Sequence, residues 1–323
     1  RSGYGFFFLP PDRRFRYGAP AHRRSFRRTP CNRPLPSGRS LPDGTGAGIW
    51  PLGRRSAPLD MVTAMRIAGR LWRSLVSTLC FVAFGIGGTL MSAVVMPLLM
   101  LAPGTAPARR ARARSVVGFC FRLLVRTLVV AGCMRLQTRG LDRLARTNGT
   151  LVLANHPTYI DVVVLISLMP QANCVVKGAL WRNPFYWGIV RAAGYINNAS
   201  PEGVIDACAD ALRRGETLVL FPEGTRTTPG QELRFQRGAA HVALKAEVAV
   251  TPILISCDPP TLTKQSSWWL APARPFTFGV DVCEPLPAAS DAAPVDTAAI
   301  GARHLTDTLE DYFSRELRRY GYA

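Results

Sequence analysis

Asn155-His156-Pro157-Thr158-Tyr159-Ile160-Asp161 lies between two apolar runs, Thr150-Leu151-Val152-Leu153-Ala154 and Val162-Val163-Val164-Leu165-Ile166. His156 and Asp161, four residues between them in a loop, give an imidazole a carboxylate partner. Such a partner fixes the ring tautomer and stabilises the imidazolium that forms when the ring takes a proton, which is the chemistry of a general base. The alternative is a structural loop histidine, with Asp161 capping the helix that follows. The other histidines, His22, His241 and His304, fall in the leader and on expected helix faces, so no metal ligand set is expected around His156.

Charge and hydropathy divide the 323-residue chain. Residues 1–147 carry 25 Lys+Arg against four Asp+Glu, a net of +21, and the remainder carries 15 against 17. The arginines lie in a Pro/Gly-rich leader and beside an apolar run, with no recognisable nucleic-acid module, so no nucleic-acid partner is expected. The eight cysteines are scattered without a C-x-x-C pair and are expected to be reduced, buried thiols.

Residues 1–60 are rich in Arg, Pro, Gly and Ser and lack an apolar period, which predicts disorder. Met61 and Met65 stand just before the first patterned helix, and a start at either is one expectation; a transit peptide is the alternative. Ser74 to Leu101 runs 28 residues without a charge and is flanked by arginines at both ends. About 20 apolar residues span a bilayer core. The run predicts a membrane segment: a single span, or, through Gly85-Ile86-Gly87-Gly88 and Pro97, a helix pair dipping into one leaflet. Ser115 to Met134 is a basic amphipathic stretch, facing either lipid headgroups or solvent.

Downstream, strands are predicted at 150–154, 174–177, 217–221, 248–256 (broken at Pro252) and 276–282. Helices are predicted at 162–169, 203–214, 239–246 and 302–319, and an apolar helix or turn at 185–193. The alternation gives an α/β domain with a single central mostly parallel or mixed sheet flanked by helices, preceded by a membrane-associated hydrophobic helix or helix pair. The expected organisation is a leader (1–60), a membrane-anchoring segment (61–119) and a catalytic domain (120–323).

The His156 stretch followed by Phe221-Pro222-Glu223-Gly224-Thr225-Arg226, then Phe235-Gln236-Arg237-Gly238-Ala239 and Val250-Thr251-Pro252-Ile253, resembles the glycerolipid acyltransferase family that includes 1-acyl-glycerol-3-phosphate acyltransferases. The resemblance covers roughly residues 120–260. It implies that His156, oriented by Asp161, takes the proton of an acceptor hydroxyl, which attacks an acyl thioester on coenzyme A or acyl carrier protein without a covalent enzyme intermediate. No cofactor is implied beyond that co-substrate. In the acceptor-binding set Glu223, Gly224, Thr225 and Arg226, Arg226 offers a planar fork for a phosphate. Glu223 either holds Arg226 or bonds the acceptor's hydroxyls, and Gly224 permits close backbone approach. Lys177 matches a position associated with the acceptor phosphate.

Asn198 departs from the family pattern, standing where a cation usually follows the segment Gly194-Tyr195-Ile196. The resemblance implies 1-acyl-sn-glycerol 3-phosphate as the acceptor; the neutral Asn198 makes an ornithine-type or other lysolipid the alternative, and a membrane-surface lipid-binding module is the non-enzymatic one. The expected location is the cytoplasmic membrane, with membrane lipids as partners and the domain facing the cytoplasm.

Overall fold

The computed structural model describes residues 61–144, 149–227, 230–267, 269–287 and 298–321. The expectations for residues 1–60 lie outside them. α1 (Met61–Leu90), a π-turn (Met91–Val95) and α2 (Met96–Leu101) form one 41-residue helix, about 62 Å long at 1.5 Å per residue.

The helix runs through Gly85 to Gly88, where the helix-pair alternative would have turned, and the Thr89 hydroxyl donates to the Gly85 carbonyl at 2.9 Å. Pro97 does not break the helix either. The wider π-turn immediately before it lets the chain absorb a residue that has no N–H to donate. The chain reverses instead at Ala102 to Thr105, where the Thr105 hydroxyl caps α3 (Ala106–Val130) by accepting from Ala108 N. Trp72 Nε1 donates to Ala131 O at 3.0 Å, so α3 returns antiparallel along α1. α3 runs unbroken through residues 119 and 120.

Among the described residues, seven strands make one sheet in the order β1-β7-β6-β2-β5-β3-β4. They are β1 (Met134–Arg139), β2 (Leu151–Ala154), β3 (Asn173–Val176), β4 (Ile196–Asn197), β5 (Leu218–Leu220), β6 (Val250–Asp258) and β7 (Phe276–Val282). β2 to β6 all run parallel, and β7 is antiparallel to β6 and parallel to β1. Successive strand residues point to opposite faces, and here both faces are buried. Val152 and Ala154 of β2 join the core with α3 and α5 (Asp161–Leu168), whereas Leu151 and Leu153 face α8 (Pro201–Arg213), α9 (Gly238–Ala246) and α10 (Ala298–Arg319).

β6 is continuous through Pro252, contrary to the expected break. The Pro252 carbonyl accepts from Cys283 N, so its missing N–H points to the β7 side, just beyond the end of the β6–β7 ladder at Ile253 and Val282. No ladder bond is lost there. β1 was not anticipated, because its outward side chains, Arg135, Gln137 and Arg139, blend into the basic run before it.

The long helix is fastened to the domain at two places. Arg70 Nε donates to Ala271 O and Arg73 Nε to Pro272 O, while Ser74 Oγ accepts from Ala271 N. At the π-turn, Ser92 Oγ accepts from Gly188 N of α7 (Trp187–Ala192) at 2.8 Å. A Cβ on Gly188 would sit 2.2 Å from Ser92 O. Gly188→Ala is therefore expected to pry the helix from α7 and to cost about 1–3 kcal/mol, the usual penalty for overpacking, measurable by chemical denaturation.

Candidate active site

Two loops leave neighbouring parallel strands at the same sheet edge. β2 ends at Ala154 and β5 at Leu220, in register through Leu153 and Leu220. Adjacent strands lie about 4.8 Å apart, so segments more than sixty residues apart in sequence become neighbours in space. Asn155, buried behind the loop, extends the β2 edge with its side chain: Nδ2 donates to Ile255 O at 2.8 Å and Oδ1 accepts from Ile255 N at 2.7 Å.

His156 Nδ1 lies 2.7 Å from Asp161 Oδ2. With Nδ1–H donating to the carboxylate, Nε2 is the basic nitrogen. Asp161 is fully buried at the first turn of α5, and the same oxygen accepts from Thr158 N at 2.8 Å. The Thr158 hydroxyl donates to the other oxygen, Oδ1. The carboxylate is thus aimed by three donors, and it orients the imidazole instead of capping its helix end with a backbone N–H of α5. Phe221 stacks on the imidazole, with centroids 4.2 Å apart, and closes one face of the ring.

The second loop grips the backbone of the first. Glu223 Oε1 accepts from His156 N at 2.7 Å, and Thr227 N donates to His156 O at 3.1 Å. The Thr227 hydroxyl donates to Glu223 Oε2. Both polar groups of the His156 backbone are thereby held by the turn from Pro222 to Thr227. Glu223, placed from sequence in the acceptor-binding set, has both carboxylate oxygens engaged in this bracket. Burial pushes its carboxyl above the ordinary 4.5; the bonds from Thr227 and His156 oppose that push, and the charge of Asp161 adds to it. A raised carboxyl contributes stability that is complete below 4.5 and is lost as pH climbs through its folded-state value.

Gly224 adopts φ 66, the left-handed region that favours glycine, and a Cβ there would meet Gln236 Cγ at 3.4 Å. Gln236 N donates to Pro222 O at 2.7 Å, which ties the turn to the lead-in of α9. Thr225 is exposed beside it. Arg226 is buried, its guanidinium carbon 3.4 Å from the centroid of the Tyr159 ring. Tyr159 N in turn donates to Leu262 O.

Lys177 and Asn198 follow β3 and β4 at the same sheet edge, two and three strands from β2, or about 10 and 14 Å across the sheet. Lys177 is exposed. Asn198 Oδ1 accepts from Gly178 N at 2.9 Å, so the amide knits the β3 and β4 ends together. Sequence reasoning missed Thr158, Thr227 and Tyr159. Each lies inside or directly after a motif, but its function depends on which atom it faces across a loop, and spacing carries no signal of that.

A family model described as Acyltransferase matches residues 135–256. A 1-acyl-sn-glycerol-3-phosphate acyltransferase of Helicobacter pylori is 30% identical over 116 residues, which make up 34% of this chain and 49% of that one. The chloroplastic 1-acyl-sn-glycerol-3-phosphate acyltransferase of Arabidopsis thaliana is 28% identical over 127 residues, or 38% and 36% of the two chains. The chain thus spans less than half the length of either relative. A human 1-acyl-sn-glycerol-3-phosphate acyltransferase, the beta form, is 26% identical over 243 residues, covering 68% of this chain and 81% of its own. The crystal structure of the 1-acyl-sn-glycerophosphate acyltransferase PlsC from Thermotoga maritima superposes with a TM-score of 0.54 at 16% identity, over 75% of this chain and 97% of that one, and so shares its fold.

Proposed function

We propose that the chain transfers an acyl group from acyl-CoA or acyl-ACP to the hydroxyl of a lysophospholipid, a reading supported by the match of residues 135–256 to the Acyltransferase family model. The acceptor that the relatives' names favour is 1-acyl-sn-glycerol 3-phosphate, which would give phosphatidic acid. The observation that carries the reading is the 2.7 Å contact between His156 Nδ1 and a buried, three-donor Asp161.

In this mechanism His156 Nε2 takes the acceptor's hydroxyl proton as the oxygen attacks the thioester carbonyl carbon. The tetrahedral intermediate then expels the thiolate, and the imidazolium returns its proton to that sulfur. Arg226 binds the acceptor phosphate, next to Gly224 and Thr225. The second reading, a different lysolipid acceptor, is favoured by Asn198: its neutral amide is spent on Gly178 N and supplies no cation for a phosphate. A labelled acyl thioester offered with a panel of lysolipids tests both readings. Turnover with lysophosphatidate supports the first, turnover only with a phosphate-free acceptor supports the second, and no acyl transfer to any lipid refutes the reaction.

The membrane anchor in this proposal is the helix pair of α1–α2 and α3. Leu71, Leu75, Leu79, Val82, Ile86 and Leu90 are exposed at spacings of three and four, one continuous apolar row. On α3, Phe119 and Leu123 are exposed as well. The long helix is fastened to the domain at residues 70–74 and again at 92, about 30 Å apart along its axis. That favours a helix lying in the plane of one leaflet over one crossing the bilayer. The arginine flanks and the thioester donors suit the cytoplasmic face of the membrane. Val82→Asp with Ile86→Asp should lower binding to anionic vesicles by more than tenfold in a flotation assay, while the folded domain is retained.

A further inference from the structure

Leu233 to Gln236, between the turn that holds His156 and α9, forms neither helix nor strand. Its backbone N–H groups have no ladder to join and need acceptors from elsewhere. Two consecutive ones find them in different places. Phe235 N donates to Glu310 Oε2 of α10 at 2.7 Å, and Gln236 N donates to Pro222 O at 2.7 Å. The segment is a strut, with the C-terminal helix at one end and the first residue of the Pro222 to Thr227 turn at the other.

The end on α10 is held twice. Phe235 is buried, and its ring meets that of Phe313 edge-on, with centroids 5.2 Å apart. Phe313 is fully buried and stands three residues after Glu310, on the same helix face. One side chain of α10 thus holds the amide of Phe235 and the other its ring. Glu310 is half-buried next to Leu309, which is buried. A carboxylate brought against apolar surface loses hydration, and a backbone donor offsets that loss with a charge-assisted bond. Packing alone would be served better by a leucine at this position. From Glu310 an unbroken series of bonds reaches the base: Phe235 N, then Gln236 N to Pro222 O, then Glu223, whose Oε1 accepts from His156 N. Glu310 lies outside both loop motifs and outside the residues 135–256 that the family model matches.

We propose that Glu310 is a positioning residue: by holding Phe235 N it seats the Pro222 to Thr227 turn and, through Glu223, the backbone of His156. This rests on the acyl-transfer reading. Glu310 acts through the turn and takes no part in the chemistry, which makes α10 part of the frame that aims the base.

The test compares the full chain in vesicles, offered acyl-CoA and lysophosphatidate, with Glu310→Asp, Glu310→Gln and Glu310→Ala. Aspartate keeps the charge but draws the oxygen back by one methylene, whereas glutamine loses the charge and keeps an acceptor at the same reach. Aspartate and alanine are expected to lower kcat on the order of tenfold, part of the roughly 10²-fold that a displaced reacting group costs. Glutamine should stay within about threefold of wild type, its neutral bond being the weaker one. A role confined to charge reverses the order of aspartate and glutamine, and a role confined to stability leaves kcat of the folded fraction unchanged in all three; either result overturns the proposal. Glu310→Ala with Glu223→Ala should be little worse than Glu223→Ala alone, and fully additive losses refute the link through the turn. Hydrogen exchange gives a readout that needs no turnover. In Glu310→Asp, peptides covering residues 222–227 should exchange about tenfold faster while those covering β6 keep the wild-type rate. A turn as protected as in wild type, or β6 loosened along with it, refutes the seating. Should the wild type transfer no acyl group, the exchange rates still decide the seating, and the failure falls on the reaction alone.

Discussion

His156→Ala is expected to lower kcat for acyl transfer by about 10²–10⁴-fold, the range contributed by a positioned general base, while leaving KM for both substrates and the thermal transition nearly unchanged. The side chain is only partly exposed and stacks on Phe221, yet the loop's position is set by its backbone. Glu223 holds His156 N, Thr227 holds His156 O, and the preceding residue, Asn155, is pinned to Ile255 by its own side chain; none of these bonds uses the imidazole. The truncated loop therefore keeps its place, and Asp161 keeps its two bonds from Thr158. Steady-state kinetics with circular dichroism on the same preparation checks this. A variant that folds and turns over within tenfold of wild type would remove His156 from the mechanism.

Glu223→Ala is expected to produce the second largest effect, a fall in kcat of about 10²-fold, because small displacements of a reacting group cost that much. The change strips the acceptor from a His156 N–H that sits behind a buried side chain and orphans the Thr227 hydroxyl. Leaving buried donors unpaired also costs stability, about 1–3 kcal/mol per group. Thr227→Val removes only the outer of the two links and should lose less, since its backbone N–H still reaches His156 O. Because both residues act through one carboxylate, the double variant Glu223→Ala with Thr227→Val should be little worse than Glu223→Ala alone. Fully additive losses in the kinetic cycle would show that the two side chains act independently and that the bracket does not exist.

The sheet was legible from its strands because Leu151 to Ala154 and Leu218 to Leu220 carry uninterrupted apolar runs and Phe276 to Val282 alternates; all three stand close to where periodicity put them. β1 escaped because an edge strand with one polar face is hard to tell from a basic helix pattern. The turn at Ala102 to Thr105 escaped for a different reason. Glycines in a helix interior weaken it by only about 1 kcal/mol each, which packing overrides, and the real reversal is encoded by Pro103-Gly104 with a Thr105 cap. At the site, the chemical side chains His156, Asp161 and Arg226 could be singled out by type and spacing. The role of Glu223 could not, because whether a carboxylate meets a ligand or a backbone N–H is decided by the neighbouring loop and leaves no trace in its own segment.

The two strands of peptide at the β2 and β5 ends share protons as well as position. The amide of His156 is shut behind Glu223 and that of Thr227 behind the His156 carbonyl. Neither can exchange with deuterium until the turn from Pro222 to Thr227 lifts away. The exchange of two amides far apart in sequence is therefore governed by one opening event, and its rate is a direct clock for how often the base is released from its seat.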